Sequence, residues 1–366
     1  MNKTHSGFVA IIGPTNAGKS TLLNQIMGRK VSITSHKVQT TRFSVRAVKM
    51  VNSPLAGESQ SATRDAVGGQ GQNAPTQLIF VDTPGVFKPA RRLDRAMVSA
   101  ALDAIGDADA VLLMVDATHG ITATTRGIIE RLKNKFPSFG GVGEAGGGLT
   151  NDTQKTENLE SLSNKLVNHP GALNSAATSP KEGNLFAVIN KTDAVAKPAL
   201  LPIAAELAET GVFREIFMTS AKTGDGIEPM LKSLAAVMPA GPYLFDPTDA
   251  PDIPDTLYLA ELTREKIYKF VHQELPYHIY VETERVDTDP DGVLEIYQKI
   301  VVNSENHKKI VVGRGGAQLK QIGTAARHDI QDQWGVNARL HLFVRVEPDW
   351  EDRRENYESQ GLEFKK

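Results

Sequence analysis

Phe8-Val-Ala-Ile-Ile-Gly-Pro-Thr-Asn-Ala-Gly-Lys-Ser20 is the stretch that decides the architecture. Residues 8–12 are uninterruptedly apolar and read as a buried strand. The next eight residues match G-x-x-x-x-G-K-[ST], and residues 19–27 have helical periodicity. A strand, a glycine-rich turn and a helix in that order build a phosphate-binding loop. Its glycines let successive backbone N–H groups turn inward around phosphate oxygens, and the helix N-terminus adds its positive end. Gly13, Pro14, Thr15, Asn16, Ala17 and Gly18 supply mainly backbone. Lys19 can bridge β- and γ-phosphates, the Ser20 hydroxyl can ligate Mg²⁺, and Thr21 continues the helix beside them.

Outward from this loop, apolar runs alternate with helical periodicity through the first two-thirds of the chain. Residues 78–81, 111–115, 185–189 and 216–219 read as strands, with helices at 96–105, 124–135, 200–208 and 227–237. This rhythm predicts an α/β domain, a doubly wound sheet of the P-loop NTPase kind with helices on both faces. Residues 42–51 alternate polar and apolar, as an exposed edge strand does. Two stretches, 52–76 and 137–183, are rich in Gly, Ser, Asn and Thr. They hold too little apolar surface to offset their ordering entropy and read as surface insertions. The first domain is expected over 1–238.

A proline- and acid-rich linker is expected at 239–255. A smaller α+β unit follows over 256–348, with a helix at 256–272 and a strand pair at 278–287 and 293–302. Two helices at 306–312 and 317–333 flank Gly313, Arg314, Gly315 and Gly316, and a last strand runs over 336–346. Residues 349–366 read as a polar tail.

Three more motifs fall at strand ends. Asp82-Thr83-Pro84-Gly85 can hold a Mg²⁺-bound water through Asp82 and donate the Gly85 N–H to a γ-phosphate. Asn190-Lys191-Thr192-Asp193 selects the base. Guanine carries two adjacent donors, N1–H and the 2-amino group, and the Asp193 carboxylate can accept both. Adenine offers an acceptor at N1 and no 2-amino group. Ser220-Ala221-Lys222 follows the next strand, where its backbone can reach the guanine O6. Each motif alone is weak; their order after a phosphate loop predicts an enzyme that hydrolyses GTP to GDP. Val86 follows the second motif, where Ras-like enzymes place a water-orienting glutamine, so hydrolysis is expected to be slow unaided.

Composition sets the outer bounds. The 366 residues carry a formal net charge of -2, which excludes a uniformly basic nucleic-acid coat but not a local patch. Without cysteine, disulfides, Cys-ligated zinc and thiol catalysis are excluded. No apolar run approaches a membrane span, and no secretory signal opens the chain, so a soluble cytoplasmic protein is expected. From 307 to 320 the chain holds Lys308, Lys309, Arg314 and Lys320 with no acid, a local basic patch around the four-residue turn.

With these elements assembled, the chain resembles the translation-factor-related GTPases of the TrmE-Era-EngA type. Gln39-Thr40-Thr41-Arg42 before an edge strand narrows the resemblance to the Era branch. So do Leu275-Pro276-Tyr277, the run Val311-Val312-Gly313-Arg314-Gly315-Gly316-Ala317, and residues 345–355. The turn at 313–316 is similar to the G-x-x-G loop of a type II KH domain. The resemblance implies Thr41 as a Mg²⁺ ligand beside Ser20 and Asp82, and K⁺ bound through Asn16. It also implies a KH domain that clamps small-subunit 16S rRNA near its 3′ end, in a GTP-dependent factor for ribosome assembly. Members are cytoplasmic, some peripheral on the inner face of the membrane, and a monomer is expected. The two insertions exceed what the family usually carries, and Pro14-Thr15 replaces its usual basic residue and proline. Two other readings are a different GTPase with a KH-like tail and an RNA-binding scaffold with a vestigial site. The first predicts a second phosphate loop and the second loss of Lys19, Asp82 or Asp193; neither holds here. A nucleotide kinase has no counterpart of residues 190–193.

Overall fold

The computed structural model describes residues 4–35, 37, 40–52, 75–87, 89, 92–135, 184–246, 253–271, 275–358, 362 and 364. Nearly all of both insertions, and Gln39, lie outside them. The first domain runs β1 (His5–Ile12), α1 (Lys19–Met27), β2 (Val45–Val51), β3 (Thr76–Asp82), α2 (Arg92–Asp103), β4 (Ala110–Asp116), α3 (Ala123–Lys135), β5 (Leu185–Asn190), α4 (Leu200–Glu209), β6 (Glu215–Met218) and α5 (Ile227–Val237). One six-stranded sheet is ordered β2-β3-β1-β4-β5-β6, with β2 antiparallel to β3 and every other pair parallel. Strands β3, β4 and β5 are buried at every position, which is why they read as continuous apolar runs. Alternate residues serve the two faces: Val9, Ile11, Leu112 and Met114 pack with α1 and α5, and Ala10, Ile12, Leu113 and Val115 with α2 to α4. All the nucleotide motifs leave the carboxyl ends of β1, β3, β5 and β6, where open α/β sheets hold ligands.

The second unit runs α6 (Asp255–Phe270), β7 (Ile279–Thr288), β8 (Leu294–Val302), α7 (Glu305–Val312), α8 (Ala317–Trp334) and β9 (Ala338–Val346). Its sheet is ordered β7-β8-β9, antiparallel then parallel. Ala260 and Ile267 of α6, Val311 and Ile322 fill the space over Ile279, Val281, Ile300 and Val302. This α-β-β-α-α-β arrangement is the expected KH topology. Among the described residues, no helix is long and apolar enough to cross a membrane.

Three expectations need correcting. Residues 350–358, 362 and 364 do not form a loose polar tail. Trp350, Tyr357 and Leu362 are buried against Leu93 and Met97 of α2 and Tyr280 of β7. The Trp350 indole donates to His278 O at 3.2 Å. These apolar residues are too widely spaced among charges to register as a pattern. The linker is not wholly free either: Gln77 accepts from Leu244 N at 2.8 Å, and Tyr243 donates to Pro75 O at 2.6 Å. Residues 247–252 of it lie outside the described set. Finally, the edge strand begins at Val45, and Arg42 is completely buried.

Candidate functional site

The turn after β1 wraps tightly because its residues adopt backbone conformations that few side chains tolerate. Gly13 (φ 151°) and Gly18 (φ 93°) have positive φ, and so does Asn16 at 64°. A Cβ on Gly18 would lie 2.2 Å from Asn190 Nδ2, and one on Gly13 2.7 Å from Met114 O. Those glycines are therefore required by packing as well as by φ. Lys19, buried on α1, turns its ammonium back across the loop to Pro14 O at 3.0 Å and Gly13 O at 3.2 Å. Burial pulls its pKa down to about 8, partly opposed by the Asp82 charge. A cation held at such desolvation cost suits an anionic ligand.

Three oxygens that lie far apart in sequence meet at the start of α1. Ser20 Oγ donates to Asp82 Oδ2 at 2.6 Å and lies 2.8 Å from Thr41 Oγ1. Ser32 Oγ donates to the same carboxylate oxygen at 2.9 Å. Asp82 is completely buried, and its Oδ1 has no hydrogen-bond partner among the described residues. Burial raises the Asp82 pKa, with the bonds from Ser20 and Ser32 and the Lys19 charge pulling the other way. A buried carboxylate oxygen left unpaired beside two hydroxyls fits an oxygen-ligated divalent cation such as Mg²⁺. Ser32 was not legible as part of this group. Asn24 fixes it, accepting from Val31 N and Ser32 N and donating to Ser32 O at 2.8 to 2.9 Å.

The segment after β3 lies directly on the phosphate loop. Thr83 Oγ1 donates to Ile11 O at 2.8 Å, and Val86 N to Gly13 O at 3.0 Å. A Cβ on Gly85 would lie 2.7 Å from Thr15 Cγ2, so only glycine permits this approach. Val86 is buried. Its apolar side chain offers nothing to orient water.

The loops carrying residues 190–193 and 220–222 are knitted to each other. Asn190 Nδ2 donates to Ala17 O at 2.9 Å, and Asn190 Oδ1 accepts from Ala221 N at 2.9 Å. The Ala221 N–H is thus engaged within the protein rather than presented to a guanine O6. Ser220 Oγ donates to Asp193 Oδ1 at 2.7 Å, which orients the exposed carboxylate. Thr192 Oγ1 donates to Thr219 O at 3.0 Å. Lys191 takes a left-handed conformation, φ 65°, and its ammonium meets Asp116 Oδ2 at 2.6 Å. Burial works to raise the Asp116 pKa, but the bonds from Lys191 and Thr118 outweigh it and hold the carboxyl below its usual range. Asp116 was missed from sequence; the available signal was an acid closing an otherwise apolar strand.

A second site lies on the other unit. Ser304 caps α7, accepting from His307 N at 3.2 Å, and Gly313, Gly315 and Gly316 have φ of 72°, 59° and 82°. A Cβ on Gly313 would meet Gln318 Cβ at 2.6 Å, whereas Gly315 and Gly316 face open space. That leaves the turn's backbone open to another chain's backbone. Beside it runs a groove of about 510 Å³ between α8 and β9, lined by Leu319, Leu340 and Leu342 and by Lys320, Arg327 and Arg339, the last also paired with Asp289 and Glu295. Of the residues named from sequence, Gly316 and Lys320 line it; Gly313, Arg314 and Gly315 of the turn, and Lys308 and Lys309 on α7, do not. Arg327, Arg339 and the β9 leucines went unrecognised, because only the parallel pairing of β8 with β9 carries that strand to the groove.

A chain with a phosphate loop in one unit and an open glycine turn in the other has close counterparts among known proteins. Residues 8–139 match the family described as 50S ribosome-binding GTPase, and residues 274–351 match the KH domain family. The GTPase Era of Mesorhizobium japonicum is 41% identical over 361 residues, covering 99% of this chain and 94% of that protein. The GTPase Era of Maricaulis maris is 38% identical over 358 residues, covering 98% and 97%. A crystal structure of an Aquifex aeolicus Era variant bound to GDP·AlF4⁻ superposes with a TM-score of 0.73 at 30% identity, covering 98% of this chain and 99% of that one. An Era complex with MgGDPNP and nucleotides 1506–1542 of 16S ribosomal RNA gives 0.74 at 29% identity, with the same coverage. With relatives matched from end to end and both domains accounted for, the chain belongs to the Era family of GTPases.

Proposed function

We propose that this GTPase binds small-subunit 16S rRNA near its 3′ end through the KH groove, in a manner set by its guanine nucleotide, and serves assembly of the small ribosomal subunit. The observation that carries this is the presence, in one chain, of an oriented Asp193 carboxylate and an open glycine turn beside a basic groove. The solved relative bound to 16S nucleotides supports the RNA class. The nucleotide domain is assigned to 1–238 and the RNA-binding unit to 256–348. We place the protein in the cytoplasm as a monomer, with peripheral contact at the inner face of the membrane. Crosslinking the GTP-bound protein to RNA in cells and sequencing the adducts should recover the 16S 3′ end; adducts spread evenly over total RNA would refute it.

The site residues divide by chemistry. Residues 13–21 hold the phosphates, Ser20, Thr41 and Asp82 hold Mg²⁺, and residues 190–193 and 220–222 hold the base. Bound Mg²⁺ supplies positive charge to the β- and γ-oxygens. Lys19 would add a second cation, and the Gly85 N–H would be a donor for the γ-phosphate. Val86 leaves the attacking water without a side-chain partner.

Asn16 is assigned a K⁺ ion. Its left-handed backbone turns the exposed side chain out at the rim of the phosphate loop. A cation there would stabilise charge on the leaving oxygens. Single-turnover hydrolysis should be about 10-fold faster in K⁺ than in Na⁺ at equal ionic strength, less than an arginine finger provides. Asn16→Ala should abolish the difference; an unchanged K⁺ response would remove the assignment.

A further inference from the structure

Thr41 belongs to the nucleotide site, but the residues on either side of it are held by the other unit. Its hydroxyl lies 2.8 Å from Ser20 Oγ. One residue earlier, the Thr40 carbonyl accepts a hydrogen bond from Arg264 Nη2. One residue later, the buried Arg42 guanidinium donates from Nη1 to Ile279 O at 2.8 Å, at the start of β7. Farther back, Thr34 N donates to Glu265 Oε1 at 2.9 Å and Lys37 Nζ donates to Val271 O. The strip carrying Thr41 is therefore tied to α6, the residue after it and the first residue of β7.

Arg264 is fixed before it reaches the strip. It is 2% exposed, and Glu261, one turn earlier on α6, holds it by a fork: Nε donates to Oε1 at 2.6 Å and Nη2 to Oε2. Such planar two-point pairing sets the direction of the guanidinium as well as its place. The remaining reach of Nη2 is toward Thr40 O. A buried charged pair is a poor way to glue two domains, because desolvation offsets most of the attraction. Its value is geometric, and the geometry is spent on the residue next to Thr41.

We propose that Arg264, oriented by Glu261, is a positioning residue for GTP hydrolysis: through the Thr40 carbonyl it holds Thr41 Oγ1 where Mg²⁺ is ligated. The inference rests on the reading of Thr41 as a Mg²⁺ ligand. It makes the RNA-binding unit part of the structure that distinguishes GTP from GDP. By reciprocity, closing of the metal site on GTP favours the docked position of α6.

The test uses the full-length protein and two readouts, the Mg²⁺ concentration giving half-maximal single-turnover hydrolysis and the affinity for GDP. Glu261→Leu with Arg264→Met removes both members of the fork, so neither is left buried without the other. This pair should raise the Mg²⁺ requirement at least about 10-fold and leave GDP affinity within about twofold, since a displaced Thr41 spares the base and the inner phosphates. Thr41→Ala should behave alike, and combining all three changes should be no worse than Thr41→Ala alone, the mark of one shared path. Asp329→Asn, which takes the α8 charge from Lys30 of the nucleotide domain and from Lys266 of α6 but leaves Lys30 on Glu265, controls for general loosening and should leave the Mg²⁺ requirement unchanged. A silent Thr41→Ala would remove the ligand reading beneath the inference. An effective Thr41→Ala with a silent Glu261/Arg264 pair would overturn the positioning role alone. So would effects that add, or an Asp329→Asn variant that matches the pair.

Discussion

Asp193→Asn is expected to collapse GTP affinity by about 10⁴-fold, while affinity for xanthine nucleotides rises. The structure explains why so small a change should matter so much. Ser220 Oγ already donates to one Asp193 oxygen at 2.7 Å, so an asparagine would keep its carbonyl on Ser220 and turn its amide toward the base. The amide would then face the two guanine donors with a donor of its own. Xanthine presents an acceptor in place of the 2-amino group, and the same amide satisfies it. The loop cannot easily re-aim, because Lys191 pins it to Asp116 at 2.6 Å and Asn190 bonds both Ala17 and Ala221. Calorimetric titration with GTP, XTP and ATP reads the outcome. Wild-type protein that bound ATP as tightly as GTP would show that residues 190–193 do not read the base.

Much of this site was legible before any coordinates, because strand ends and glycine turns leave local marks. Residues 8–20 carry the strand, the turn and the helix start within one window, and the buried runs of β3, β4 and β5 stand out against polar surroundings. What stayed hidden was non-local. Arg42 sits where an exposed edge strand was expected, yet it is buried, and a carbonyl of β7, 237 residues away, accepts a hydrogen bond from it. Trp350 and Tyr357 look like stray aromatics until α2 and β7 are placed over them. Asp116 acquires its role only when β4 and β5 pair and bring Lys191 within reach. Arg327 and Arg339 join the groove only through the packing of α8 against β9, while Lys308, Lys309 and Arg314 of the basic patch read from sequence do not line it.

Replacing Arg314 and Gly315 both by Asp is expected to weaken RNA binding at least about 10-fold and to flatten its salt dependence, because fewer counterions are released. The position of the change is chosen for the fold. Gly315 has φ 59° with open space where a Cβ would go, and aspartate is one of the few residues that tolerates this conformation. Gly313 would be a poor choice, since its Cβ would collide with Gln318. At 314 and 315, two carboxylates would instead stand where a strand of about four nucleotides is expected to lay its phosphates against the turn and the N-terminus of α8. GDP affinity should stay at the wild-type value, which would show that the rest of the molecule is intact. The decisive measurement is therefore a titration of small-subunit 3′-end RNA against protein loaded with a non-hydrolysable GTP analogue, by fluorescence anisotropy at several salt concentrations. Tight, salt-sensitive binding by the wild type and at least about 10-fold weaker, less salt-sensitive binding by the double variant is the predicted result. Equal affinity and equal salt dependence for the two proteins would contradict it.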